Sequence, residues 1–327
     1  MDELLSLKER IEYHTSVNLM QKDLVRVMVT EKGGRIIAVD FGEGNLLWVN
    51  DDIEFNLKND EWNLGGIRTW ISPEQLFFYS DPENFDGWFC QRNLDPADYF
   101  FTKQTKTQTS MDSNINIVNM ATNEKLIGRI NKNFSLGNCL RTASSLKFEI
   151  KISTELLLEV CEFPVALWTL VQVPVDRQNK GIVTIPVTEN SQPIHYFGQI
   201  PADYLQVDKS EIKFIMDGSN ELKLGIKPED LQNPVNQKMK YTFTKNQKRM
   251  SLELSSLTGA TSQAQCLDKA KANPNGPKGV LQCYNSDCNK SGLAFGELEI
   301  QSKPVEKTGE YWKAKEEILI TFEMNLD

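Results

Sequence analysis

Leu24-Val-Arg-Val-Met-Val-Thr30 alternates, Glu31-Lys-Gly-Gly34 turns, and Arg35-Ile-Ile-Ala-Val-Asp-Phe41 alternates again. Side chains leave a strand on its two sides in turn, so a period of two marks a half-buried strand. A glycine pair supplies the positive φ that tight hairpin turns need. The stretch reads as a β-hairpin, and the same grammar recurs along the chain. Leu146-Lys-Phe-Glu-Ile-Lys-Ile-Ser153 alternates strictly, while Ala166-Leu-Trp-Thr-Leu-Val-Gln-Val173 is a near-continuous apolar run. Met239-Lys-Tyr-Thr-Phe-Thr244 and Glu317-Ile-Leu-Ile-Thr-Phe322 follow the same rule. Only the segment within residues 1–16 reads as an amphipathic helix, with Leu4, Leu5, Ile11 and Tyr13 near one face. Other helical candidates are short, near Pro228-Glu-Asp-Leu231 and Ala264–Ala272. Many strands, few helices and 13 prolines among the turns predict an all-β chain with a short N-terminal helix.

The 327 residues suffice for one large all-β domain or two ordinary ones. No Gly/Ser linker, composition break or strict repeat divides them, so a single domain over 1–327 is expected. Residues 258–291 are rich in Asn, Gly, Lys, Ser and Pro and read as a long polar loop. A net charge of −9, from 36 basic and 45 acidic residues, argues against general nucleic-acid binding and against docking on an anionic membrane. The opening Met1-Asp-Glu-Leu-Leu-Ser-Leu-Lys-Glu-Arg10 has no apolar leader core, and no apolar run is long enough to span a bilayer; a cytoplasmic location is expected. Six cysteines lack the paired CxxC knuckles of a structural zinc site. Cys266, Cys283 and Cys288 cluster late, and a Cys266–Cys283 or Cys283–Cys288 disulfide stays open if the compartment is oxidising.

There is no P-loop, dinucleotide fingerprint, HExxH or GxSxG. The candidate site begins at Asn63-Leu-Gly-Gly-Ile-Arg-Thr-Trp-Ile-Ser-Pro-Glu74. Gly65-Gly66 permits a sharp turn or a close backbone approach. Arg68 and Trp70 then share one face of the following strand, and Pro73 ends it with Glu74 at the tip. A guanidinium fork suits hydroxyls and carboxylates, and an indole face suits the C–H side of a sugar ring. An internal salt bridge for Arg68 and a plain core role for Trp70 are the alternatives. In Phe295-Gly-Glu-Leu-Glu-Ile-Gln301, Glu297 and Glu299 share a face and could do acid/base work, or could simply be solvated. Of two histidines, His195 is a possible general acid, though a buried, hydrogen-bonded role fits it as well. Two histidines cannot build a multi-His metal centre. Lys223 leaves the apolar face of Glu221-Leu-Lys-Leu-Gly225 and could meet a ligand or solvent.

Three of these stretches occur in a familiar order. Gly33-Gly-Arg-Ile-Ile-Ala-Val39 with Asn45-Leu-Leu-Trp-Val49, then Asn63–Glu74, then Phe295–Gln301 resembles the galactose-mutarotase-like β-supersandwich group, in its uncharacterised bacterial branch. Leu222-Lys-Leu-Gly-Ile-Lys-Pro228 is similar to a segment of that branch. The resemblance implies a large two-sheet antiparallel sandwich with a carbohydrate-binding face and no cofactor or metal. It implies a small sugar or uronate as partner and leaves the oligomeric state open. Aldose 1-epimerases take a proton from the anomeric hydroxyl with a Glu in a Leu-Glu-Thr-Gln run. Leu298-Glu-Ile-Gln301 is similar and makes Glu299 the expected base, with His195 as acid and Arg68, Trp70, Glu74, Lys223 and Glu297 around the substrate. Their two histidine motifs are incomplete here; His195-Tyr-Phe-Gly198 matches the second only in part. A non-catalytic carbohydrate-binding protein on the same fold is the alternative.

Overall fold

The computed structural model describes residues 2–326. Two large sheets, antiparallel throughout the described pairings, pack face to face. The first has nine strands. In spatial order they are Val17–Lys22, Val25–Thr30, Arg35–Asp40, Ile67–Ser72, Ala166–Pro174, Phe295–Pro304, Leu281–Asp287, Ser219–Ile226 and Ile194–His195. The second has eleven and is built around the long strands Lys125–Arg141, Ser145–Leu158 and Tyr311–Asn325. Helix α1, Glu3–Glu12, is shorter than the N-terminal segment expected and is capped by the Asp2 carboxylate, which accepts from the amides of Leu4 and Leu5. With helix α2, Ile53–Lys58, it buries Leu4, Leu7 and Ile11 against Met28, Ile37 and Ala38 on the outer side of the first sheet.

The two sheets differ as their sequences do. Ser145–Leu158 alternates between buried and accessible residues, so one face meets solvent. Ile67–Ser72, and Ala166–Val173 of the next strand, are buried at every position. A sheet covered on both faces needs near-continuous apolar strands, as Ala166–Val173 shows. The second sheet covers one side of these strands, and loops and helices cover the other.

A polar row crosses the core between the sheets. Lys132, Thr154 and Glu316 lie opposite one another on three neighbouring strands of the second sheet, and all are buried. Lys132 Nζ donates to the Gly34 carbonyl at 2.9 Å, and the Thr169 hydroxyl donates to the Glu316 carboxylate. The first reaches the hairpin turn before Arg35–Asp40, and the second joins the two sheets directly.

Residues 258–291 are not one polar loop. Leu281–Asp287 is a central strand, and Cys288–Ser291 is a single helical turn. Gln282, Tyr284 and Ser286 give this strand a polar, aromatic outer face, which hid it among loop-like residues. The irregular part is not superficial either: Cys266, Asp268, Ala270 and Val280 are buried. All six cysteines are free thiols.

Candidate functional site

The turn at Gly65-Gly66 does what the glycines allow. Both have positive φ, +103° and +78°. A Cβ on Gly65 would lie 2.4 Å from the Trp48 carbonyl oxygen, and one on Gly66 would lie 2.2 Å from that of Ile36. Only glycine lets the three segments close up at the start of the Arg68 strand.

Register then arranges the outer face. Trp70 lies opposite Trp168; Arg68 lies opposite Leu170, which lies opposite Glu299. One row further on, Glu297 lies opposite Tyr284, and Tyr284 opposite Lys223. Directly paired residues point to the same side, so these side chains share one face. Above them is a cleft of about 620 Å³, walled by Trp62, Trp70, Trp88, Trp168, Tyr284 and Phe295. Arg68, Glu74, Lys223 and Glu297 also line it.

Arg68 is the hub. Its Nη2 donates to Glu297 Oε1 at 2.7 Å, and its Nε lies 3.7 Å from Asp95 Oδ2. The guanidinium lies 4.2 Å from the Trp70 ring centre and 5.3 Å from that of Trp62. Asp95 also accepts from the Trp70 indole at 2.8 Å and pairs with Arg35. Trp70 is thus buried, covered by Arg68 and tied to Asp95, so the expected stacking surface is not free. The accessible ring is Trp88, carried on the small hairpin Tyr79–Trp88, with 39 % exposure. Its indole donates to Glu74 Oε1 at 3.1 Å, and its ring lies 5.1 Å from that of Trp62.

Lys223 forms the second centre. Its Nζ lies 3.1 Å from Glu299 Oε2 and 3.4 Å from Glu74 Oε2, above the Trp168 ring. Gly225, two residues on, leaves room for the Tyr196 ring, which a Cβ there would meet at 2.4 Å. Burial opposes the Lys223 ammonium, but Glu299, Glu74 and Asp268 outweigh it and hold its pKa well above the ordinary lysine value. Burial pushes the Glu299 carboxyl up, against the pull of Lys223, with Glu297 and Glu74 adding to the rise. Asp268 is also raised by burial; it accepts from the Glu74 amide at 2.6 Å.

Two sequence expectations need correction. Glu299 is fully buried under Lys223 and does not line the cleft, so it is not a base a ligand can reach directly. The carboxylate that reaches the cleft from this strand is Glu297. His195 pairs with Leu224, a core residue, so it leaves the sheet on the side opposite Lys223. Its Nδ1 accepts from the Ile200 amide at 3.1 Å, and burial lowers its pKa. Arg68, Trp70, Glu74, Lys223 and Glu297 do converge. Trp88, Asp95 and Asp268 were missed: each sits in a loop or a three-residue strand, where no periodicity reports a facing direction.

The floor carries uncommitted polar atoms. Arg68 Nε and Nη1, the Trp168 indole nitrogen, Gln172 Oε1 and Gln282 Oε1 are buried without a hydrogen-bond partner. Buried polar groups are normally paired, directly or through ordered water, so these atoms keep bonding capacity on this face. No group of three or more His, Cys, Asp or Glu side chains among the described residues could hold a metal. No described helix is long and apolar enough to cross a membrane.

A model described as a family of unknown function (DUF6786) matches residues 164–304, which hold Trp168, Lys223, Glu297 and Glu299 but not Arg68. No functionally curated protein matches the sequence. Solved structures do match. An Escherichia coli K12 protein, described provisionally as an aldose 1-epimerase, superposes with a TM-score of 0.51 at 9 % identity, covering 94 % of this chain and 99 % of its own. The Slr1438 protein of Synechocystis sp. PCC 6803 gives 0.51 at 13 % identity, with 96 % of each chain covered. At these identities the likeness establishes architecture: the chain has the galactose-mutarotase-like sandwich fold.

Proposed function

We propose that the cleft binds a saccharide ring and that the protein interconverts its anomers, as an aldose 1-epimerase-type isomerase. The observation that carries this reading is the placing of Glu297 and Lys223 on one face, either side of Tyr284, under a wall of tryptophans. Their strands are two apart, about 10 Å between backbones, so one ring lying over Tyr284 can meet both side chains. Trp88 offers a flat apolar face to the ring; Arg68 and Glu74 meet its hydroxyls.

Glu297 accepts the proton of the anomeric hydroxyl as the bond from C1 to the ring oxygen breaks. Lys223 donates a proton to that oxygen. Its raised pKa makes it a weak acid, but the alkoxide forming in the transition state is a stronger base than the lysine. Rotation about the C1–C2 bond and reversal of both transfers give the other anomer. Glu299 and Glu74 keep Lys223 charged for the next cycle. A general base of this kind supplies about 10²–10⁴-fold.

Exchange NMR on freshly dissolved galactose, glucose and glucuronate tests the reading. Interconversion faster than the buffer blank is expected, with a loss of roughly 100-fold or more in Glu297→Gln. The Glu297 carboxylate already accepts from Arg68, which favours a second reading, saccharide binding without turnover. Saturable binding with no acceleration selects that second reading. Neither binding nor acceleration removes both.

A further inference from the structure

A second cavity of about 530 Å³ lies between helix α1, the Asn45–Asp51 loop and the chain after Pro174. Trp48 and Pro174 line it. Pro174 lies opposite Phe295, which lines the main cleft, and the Trp48 and Phe295 rings are 4.7 Å apart. One aromatic ridge therefore separates the two cavities and belongs to both. The ridge is fixed to the sheet: the Trp48 amide donates to the Gln172 carbonyl at 3.1 Å, and its own carbonyl accepts from Gly66 at 2.9 Å. Phe295 is two residues from Glu297 along its strand, about 7 Å. The second cavity thus begins about one sugar ring beyond the reactive end of the cleft.

The chemistry of the second cavity repeats that of the first. A half-buried indole gives an apolar platform, and Arg10, Asn50, Asp51 and Asp176 give a polar rim of both signs. Such a rim answers hydroxyls; a cavity for an ion would carry one sign. We infer that this cavity is a second saccharide subsite, and that the natural ligand is an oligosaccharide running from the main cleft across the Trp48–Phe295 ridge. The inference rests on the saccharide reading of the main cleft.

Titration calorimetry with glucose and galactose, then with cello-, malto- and galacto-oligosaccharides of two to four units, tests it. In at least one series, affinity should rise tenfold or more from one unit to two or three. Trp48→Ala should abolish that gain. Because Trp48 also packs on Phe295, a second variant is needed. Asn179→Trp, on the exposed loop at the rim, should block the cavity, remove the gain and leave monosaccharide affinity unchanged. Monosaccharide binding with no gain in any series overturns the inference while leaving the main-cleft reading standing. A gain that survives both variants also overturns it. If no saccharide binds, the inference falls together with the main-cleft reading.

Discussion

The Arg68 guanidinium cannot be removed without stranding Glu297, whereas Asp95 keeps Arg35 and the Trp70 indole. Removing one partner of a buried ion pair costs about 3–5 kcal/mol. Arg68→Ala should lower unfolding stability by that order in a urea titration. Arg68→Lys should recover little, because a point charge cannot bond Glu297 and also lay a flat group over Trp70. A variant as stable as the parent would show that Glu297 finds another donor. At this scale the sequence was readable where a strand period applied. Arg68, Lys223 and Glu297 each sit in a strand of six or more residues, and alternation placed them on the right face. Glu299 was on the right face too, but period cannot report depth, and only packing reveals that Lys223 covers it. His195 lies in a strand of two residues, too short for parity to mean anything.

The small hairpin Tyr79–Trp88 holds its tryptophan over the cleft through contacts with Trp62 and Phe78 and the bond to Glu74. It contributes an accessible ring rather than core, so truncation should separate binding from folding. Trp88→Ala should weaken saccharide binding by roughly tenfold or more, in line with the 1–2 kcal/mol or greater of exposed aromatic anchors. Its thermal midpoint should move little. Calorimetric binding beside a thermal melt checks both, and unchanged affinity would remove the ring from the site. Elements with clean alternation were legible. The Leu281–Asp287 strand was not, because its outer-face residues Gln282, Tyr284 and Ser286 are polar or aromatic, and of them Tyr284 lines the cleft.

The first sheet takes strands from residues 17–72, 166–174, 194–226 and 281–304, so neither half of the chain completes it. Melts should therefore show one cooperative transition across the whole molecule. Their pH dependence should report the polar row between the sheets. Burial raises Glu316 from 4.5 to about 7, against the Thr169 bond and Lys132. Between those values the native state keeps a proton that the unfolded chain releases. This contribution is full below the unfolded value and lost as pH rises towards 7, roughly 3 kcal/mol at about 1.4 kcal/mol per unit. Glu316→Gln keeps the Thr169 bond and carries no titrating proton. It should fall less than the parent between pH 4.5 and 7, by denaturant unfolding at matched pH; parallel curves would place the titration elsewhere.

The two-sheet architecture was visible from strand grammar alone, but the cleft was visible only in part, because its rim comes from loops that obey no period. That division has a practical side. The floor residues stand on strands locked in register, where a one-residue slip would turn every side chain to the wrong face. The rim, at Tyr79–Trp88, can vary without moving them. Anyone redesigning this protein for another ligand would leave the strands untouched and build the library in that hairpin.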